Sequence, residues 1–75
     1  MNHEEKNYRV LLYQGVLPDE FYWSEMRLYG FLGTRLGSQD AAAKVLAEVD
    51  ESGTATRLIE YASGLTAKVT VSLRS

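Results

Sequence analysis

The side chains that most often do covalent or acid–base chemistry are scarce in this chain. Cysteine is absent, and histidine occurs once, as His3. A nucleophile needs a neighbouring base to activate it, so Ser–His and Cys–His arrangements lack their parts. Thiolate zinc sites are closed for the same reason, and a single histidine in a polar segment makes no histidine cluster. Carboxylates are adjacent in sequence at Asp19/Glu20 and Asp50/Glu51. Beside a turn or a helix end, such neighbours read as solvated surface, since nothing sets two of them across a cleft. The run "GTRLGS" (33–38) ahead of a helix could offer free N–H groups to an anion. It lacks the Gly-Lys-Ser/Thr ending of a phosphate loop and the G-x-G-x-x-G of a dinucleotide site, so it reads as loop and cap. The expectation is a non-enzyme with no metal, no cofactor and no small-molecule substrate.

Side chains suited to binding are concentrated instead. The stretch "EFYWSEMRLYGFLG" (20–33) holds Phe21, Tyr22, Trp23, Tyr29 and Phe31, five of the chain's eight aromatics, with Arg27 among them. Tyr13 and Arg9 lie just upstream. Trp, Tyr and Arg dominate protein–protein hot spots. Aromatics interleaved with cations also build nucleic-acid platforms. Charge weighs against that second use: the net charge is −2, and the eight Lys and Arg residues are spread without a run, whereas phosphate binding draws on clustered ones. A net charge of −2 is equally far from the charge density of an acidic nucleic-acid mimic.

The elements that must position these residues can be read in order. Seventy-five residues make one small domain (1–75), with the polar "MNHEEKN" (1–7) expected to be flexible. Such a chain buries only about 60% of its unfolded surface, so its stability margin is thin. Without disulfides or a structural metal, self-association is the remaining reinforcement, and two-fold dimers are its commonest form. The 45% hydrophobic and 24% charged composition is ordinary for a globular protein and argues against disorder. No secretory signal pattern and no apolar stretch of about 20 residues is present, so a cytoplasmic protein without a membrane role is expected.

"YRVLLYQGV" (8–16) reads as a strand and "LPDE" (17–20) as a turn with Pro18 at its second position. For 20–33 the aromatic content favours a strand, and Gly30 and Gly33 would each cost a helix interior about 1 kcal/mol. As a strand, Tyr22, Met26, Leu28 and Leu32 share one face, with Phe21, Trp23, Arg27, Tyr29 and Phe31 on the other. "GTRLGSQD" (33–40) reads as a loop. "DAAAKVLAEVDESG" (40–53) predicts a helix, capped by Ser38 or Asp40 and closed by Gly53, with Ala42, Val45, Leu46 and Val49 as its apolar stripe. "TATRLIEYA" (54–62) and the strictly alternating "LTAKVTVSL" (65–73) form a hairpin around "SG".

The expected fold is α+β in ββαββ order, a single antiparallel sheet with one helix packed on a face. Its core would be Tyr8, Val10, Leu12, Tyr22, Met26, Leu28, Leu32, Leu58, Val69, Val71 and Leu73 under the helix stripe. The alternative is βααβ or βαααβ, with a helix at 19–32 and another at 55–63. One helix cannot cover both faces of a sheet. Tyr13, Trp23, Arg27, Tyr29 and Phe31 are therefore the expected partner-binding residues, within an exposed patch that also takes in Leu11, Ile59 and Tyr61. The function expected is a protein-interaction module that binds a partner protein or a second copy of itself through this aromatic face. In size and plainness the chain resembles the small accessory and inhibitor proteins of phages and mobile elements. The alternative is a small nucleic-acid-binding regulator using Arg9, Arg27, Trp23 and Tyr29.

Overall fold

The computed structural model describes residues 7–62 and 64–74, the side chains of Tyr61 and Ala62 excepted. Its elements are β1 (Asn7–Tyr13), β2 (Asp19–Ser24), α1 (Glu25–Leu36), α2 (Gln39–Ser52), β3 (Thr54–Ala62) and β4 (Leu65–Leu73). The four strands make one antiparallel sheet in the order β2-β1-β4-β3, and β2 and β3 are its edges. The fold is α+β, as expected, with a second helix added. The expected tail and His3 lie outside the described residues; Asn7 belongs to β1. Ser63 and the Tyr61 side chain lie outside them too.

Both rival readings of 20–33 are half right. The β-rich "FYW" stays in β2, and the helix formers after it start α1 at Glu25. Ser24 is the switch: its extended backbone (φ −69°, ψ 164°) leaves the strand, and its Oγ accepts the Arg27 N–H at 3.3 Å. Glycines at 30 and 33 do not stop the helix. Leu28 and Leu32, one turn apart, are both fully buried. Burying each contributes about 1.5–3 kcal/mol, which outweighs roughly 1 kcal/mol per glycine. Consequently the expected loop at 33–40 shrinks to Gly37 and Ser38. Gly37 closes α1 in the left-handed region (φ +89°), donating its N–H to the Gly33 carbonyl at 3.0 Å. Ser38 then caps α2 by accepting the Ala41 N–H at 3.1 Å.

α2 buries the expected stripe of Ala42, Val45, Leu46 and Val49. Beneath the two helices lie Tyr8, Val10 and Leu12 of β1, Val69 and Val71 of β4, and Ala55, Ile59 and Ala67. Two strands face the opposite way from the expected one. Register places Trp23 opposite Tyr8 and Phe21 opposite Val10, so these two point to the helix side and Tyr22 to the open side. Likewise Ile59, opposite Ala67, is buried, and Leu58 is 69% exposed. Both strands carry apolar residues on two faces, and a shift of one residue flips every side chain. Met26 (84% exposed) and Leu73 also leave the expected core.

Candidate interaction surface

On α1, residues 27, 31 and 35 recur at intervals of four and share a face. That face lies over the helix-side surface of β2. Phe21 and Trp23 stack with ring centroids 5.0 Å apart and planes at 24°. Phe31 closes on Trp23 at 5.0 Å and 59°. The Arg27 guanidinium carbon sits 5.1 Å from the Trp23 ring centre, and that of Arg35 sits 5.6 Å from Phe31. The product is a ridge of three half-buried aromatic rings under two guanidiniums, at the edge of the sheet. Half-exposed aromatic rings present large, rigid contact area at little entropic cost, and an arginine stacked on one is already ordered.

Of the five expected partner-binding residues, the ridge gathers Trp23, Arg27 and Phe31. Tyr29 lies on another face of α1, where its hydroxyl donates to the Gln39 carbonyl at 3.3 Å. It borders two open depressions: one of about 450 Å³ with Glu25, Met26 and Gly30, and one of about 350 Å³ running to Ser38 and Gln39. Tyr13 is on the far side of the sheet, under the Lys68 ammonium at 4.6 Å. Arg35 joins the ridge without having been anticipated, and so does Phe21, which was expected on the face of Trp23 but not among the binding residues. The i, i+2 spacing of Phe21 and Trp23 was visible in the strand reading. The Arg27–Phe31–Arg35 spacing means something only on a helix.

The helix-free side of the sheet is polar. Thr54, Thr56 and Leu58 of β3 and Thr66, Lys68, Thr70 and Ser72 of β4 share it with Arg9, Leu11 and Tyr13 of β1 and Glu20 and Tyr22 of β2. Thr56 and Thr70 bond across the strands at 3.2 Å. Arg9 and Glu20 form an ion pair, and Glu20 also accepts the Tyr22 hydroxyl at 2.9 Å. The hydrogen bond from Arg9, then that from Tyr22, holds the Glu20 carboxyl below its ordinary value, and the same partnership raises Arg9. Arg74 covers the Tyr22 ring at 4.5 Å. Tyr13 and Tyr22 on this side therefore each have a cation over the ring. The expected patch is thus divided between the two sides of the sheet, with Trp23, Arg27 and Phe31 in the ridge and Leu11 and Tyr13 on the helix-free side.

Tyr8, in the core, has its phenol raised chiefly by burial, with the Glu25 and Asp50 carboxylates adding to it. Among the described residues no group of three or more metal-ligating side chains is assembled, and no buried side-chain donor or acceptor lacks a partner. No helix among them is long and apolar enough to cross a membrane.

No family model, no curated protein and no solved structure aligns with the chain.

Proposed function

We propose that this chain is a non-enzymatic protein-interaction module. It would contact a partner protein, or a second copy of itself, through the ridge formed by Phe21, Trp23, Arg27, Phe31 and Arg35. It would work by occupying the partner's surface, as a small accessory or inhibitory protein does. One observation carries the reading: two guanidiniums lie over partly exposed rings at one sheet edge. Trp and Arg in such a setting are the side chains whose removal costs most at interfaces. A photoreactive phenylalanine analogue at Phe31, irradiated in the cells that make the protein, tests it, with exposed Thr66 as control. A discrete protein adduct at position 31 and none at 66 supports the reading. Equal labelling at both positions, or none at either, refutes it.

A second reading has its own support. Arg27 and Arg35 lie over the helix-side rings beside β2, while Arg9 and Arg74 lie by Tyr22 on the opposite face. The expected Arg9/Arg27/Trp23/Tyr29 face is therefore divided, and only its Arg27–Trp23 part remains together. Stacked arginine and tryptophan suit single-stranded nucleic acid. Glu20 offsets Arg9 there, and the overall charge stays at −2, which is why this reading ranks second. Binding of a labelled oligonucleotide that weakens with salt and with Arg27→Glu would promote it; no binding at low salt removes it.

A further inference from the structure

The sheet's two edges differ in how well they are closed to another strand. Along β3, Arg57 Nη1 donates to the Thr56 carbonyl at 2.9 Å while Nη2 reaches Glu48 at 2.8 Å, laying a charged side chain along the strand. The β3 register also breaks between Glu60 and Ala62. Charge and bulges are the usual guards of an edge. β2 has no bulge, and the cations near its centre, Arg27 and Arg74, lie over the Trp23 and Tyr22 rings. Its pairing with β1 runs unbroken from Asn7↔Ser24 to Leu12↔Asp19, and Phe21-Tyr22-Trp23 contains no charge, proline or glycine. An edge strand presents unpaired N–H and C=O groups at alternate residues, and this one adds aromatic rings on both faces.

We infer that the partner of this edge is a second copy of the chain, joined β2 to β2 in antiparallel fashion about Tyr22. The inference rests on the reading of the ridge as a contact surface and names its occupant. In that register Phe21 stands opposite the second copy's Trp23 on the helix side, twice over by symmetry. Tyr22 stands opposite the second copy's Tyr22 on the open side, and Glu20 opposite its Ser24. Aromatic pairs directly across an antiparallel ladder are among the more favourable cross-strand pairs. The two four-stranded sheets would become one continuous sheet with all helices on the same side, and the Phe21–Trp23–Phe31 stack would continue from one copy into the other.

Charge supports a copy over a foreign partner. Asp19 shares the helix-side face with Phe21, and among the described residues neither Asp19 nor Arg27 has an ion-pair partner. Glu25, formally opposite Asp19, has already turned into α1, whereas Arg27 lies over the Trp23 ring that faces Phe21. Pairing about Tyr22 thus brings Asp19 of each copy towards Arg27 of the other. Each copy would offer Asp19 to the other's Arg27, so the edge complements itself at those two positions. Closed two-fold pairing of this kind is isologous. β2 is six residues long, about 20 Å, so the seam is smaller than a standard interface of roughly 1,600 Å² and the dimer should dissociate in the micromolar range.

Sedimentation equilibrium between roughly 10 µM and 1 mM brackets that range. Trp23, the chain's only tryptophan, reports the seam independently through its emission. The expected result is a monomer–dimer equilibrium with a blue shift of Trp23 on association. Tyr22→Lys sets like charges opposite each other across the two-fold on an exposed position and should abolish the dimer. Asp19→Arg and Arg27→Asp alone should each weaken it by about tenfold, and together should restore it. Circular dichroism checks that each variant is folded. A strict monomer at the highest concentration overturns the inference, and so does a dimer indifferent to Tyr22→Lys or one that the double exchange fails to restore. A strict monomer whose position 31 still crosslinks to a different protein overturns only the second copy. Absence of both signals sinks the ridge as well.

Discussion

Gly30→Ala tests the least expected element of the fold, the helix at 25–36. Gly30 is exposed in the middle of α1 with helical backbone, and a Cβ built there meets no atom within 4 Å. Nothing in the structure requires glycine at that position. Alanine should therefore recover the conformational entropy that glycine loses on folding, about 0.5–1 kcal/mol. In a chain of this size that raises Tm by roughly 2–8 °C. The matched control is Gly53→Ala, where φ is +88° and the space around the Cβ is equally open. Only the backbone conformation opposes alanine there, so stability should fall by about 1 kcal/mol. Urea titration followed by circular dichroism, with thermal melts, measures both. If Gly30→Ala is neutral or destabilising while Gly53→Ala falls as stated, residues 25–36 are not helical in the way described and the arginine stripe loses its basis. A gain in stability combined with loss of the dimer would mean that the space above Gly30 belongs to the interface, contrary to the β2 register.

Ser24→Ala removes the cap that turns the chain from strand to helix and should cost about 1 kcal/mol by urea midpoint, with an unchanged m-value. Leu32→Ala empties a fully buried position between α1 and the sheet; a loss of about 2–5 kcal/mol is expected and should leave much of so small a chain unfolded at 37 °C. Acid titration should show Glu20 through its sign. Its carboxyl is lowered in the folded state, so its contribution is present above the unfolded value near 4.3 and is lost as pH falls through the lower folded value. Stability of Glu20→Gln should therefore approach that of the wild type as pH drops below about 4; a gap of constant size down to acid unfolding would refute the pairing with Arg9 and Tyr22.

Periodicity made α2 and β4 legible from the sequence, because each buries one face and follows a single period. The stripe of Ala42, Val45, Leu46 and Val49, the closing Gly53 and the alternation from Leu65 to Leu73 needed no tertiary information. The α+β class was legible too, whereas 54–62 read equally as a strand or as a short helix. Residues 20–33 were not, because their first part favours a strand and the rest can form a helix. The deciding terms there, the Ser24 cap and the burial of Leu28 and Leu32 against the sheet, exist only once the sheet is built. Facing was decided by tertiary structure as well. β2 and β3 carry apolar side chains on both sides, so only their register against β1 and β4 could choose Trp23 over Tyr22 and Ile59 over Leu58 for the helix side. The candidate surface moved with that choice. Sequence supplied the aromatics and arginines, and the turn from strand to helix at Ser24 brought Arg27, Phe31 and Arg35 back over Phe21 and Trp23. Period and propensity act within a few residues, whereas register and burial depend on chain segments far apart in sequence.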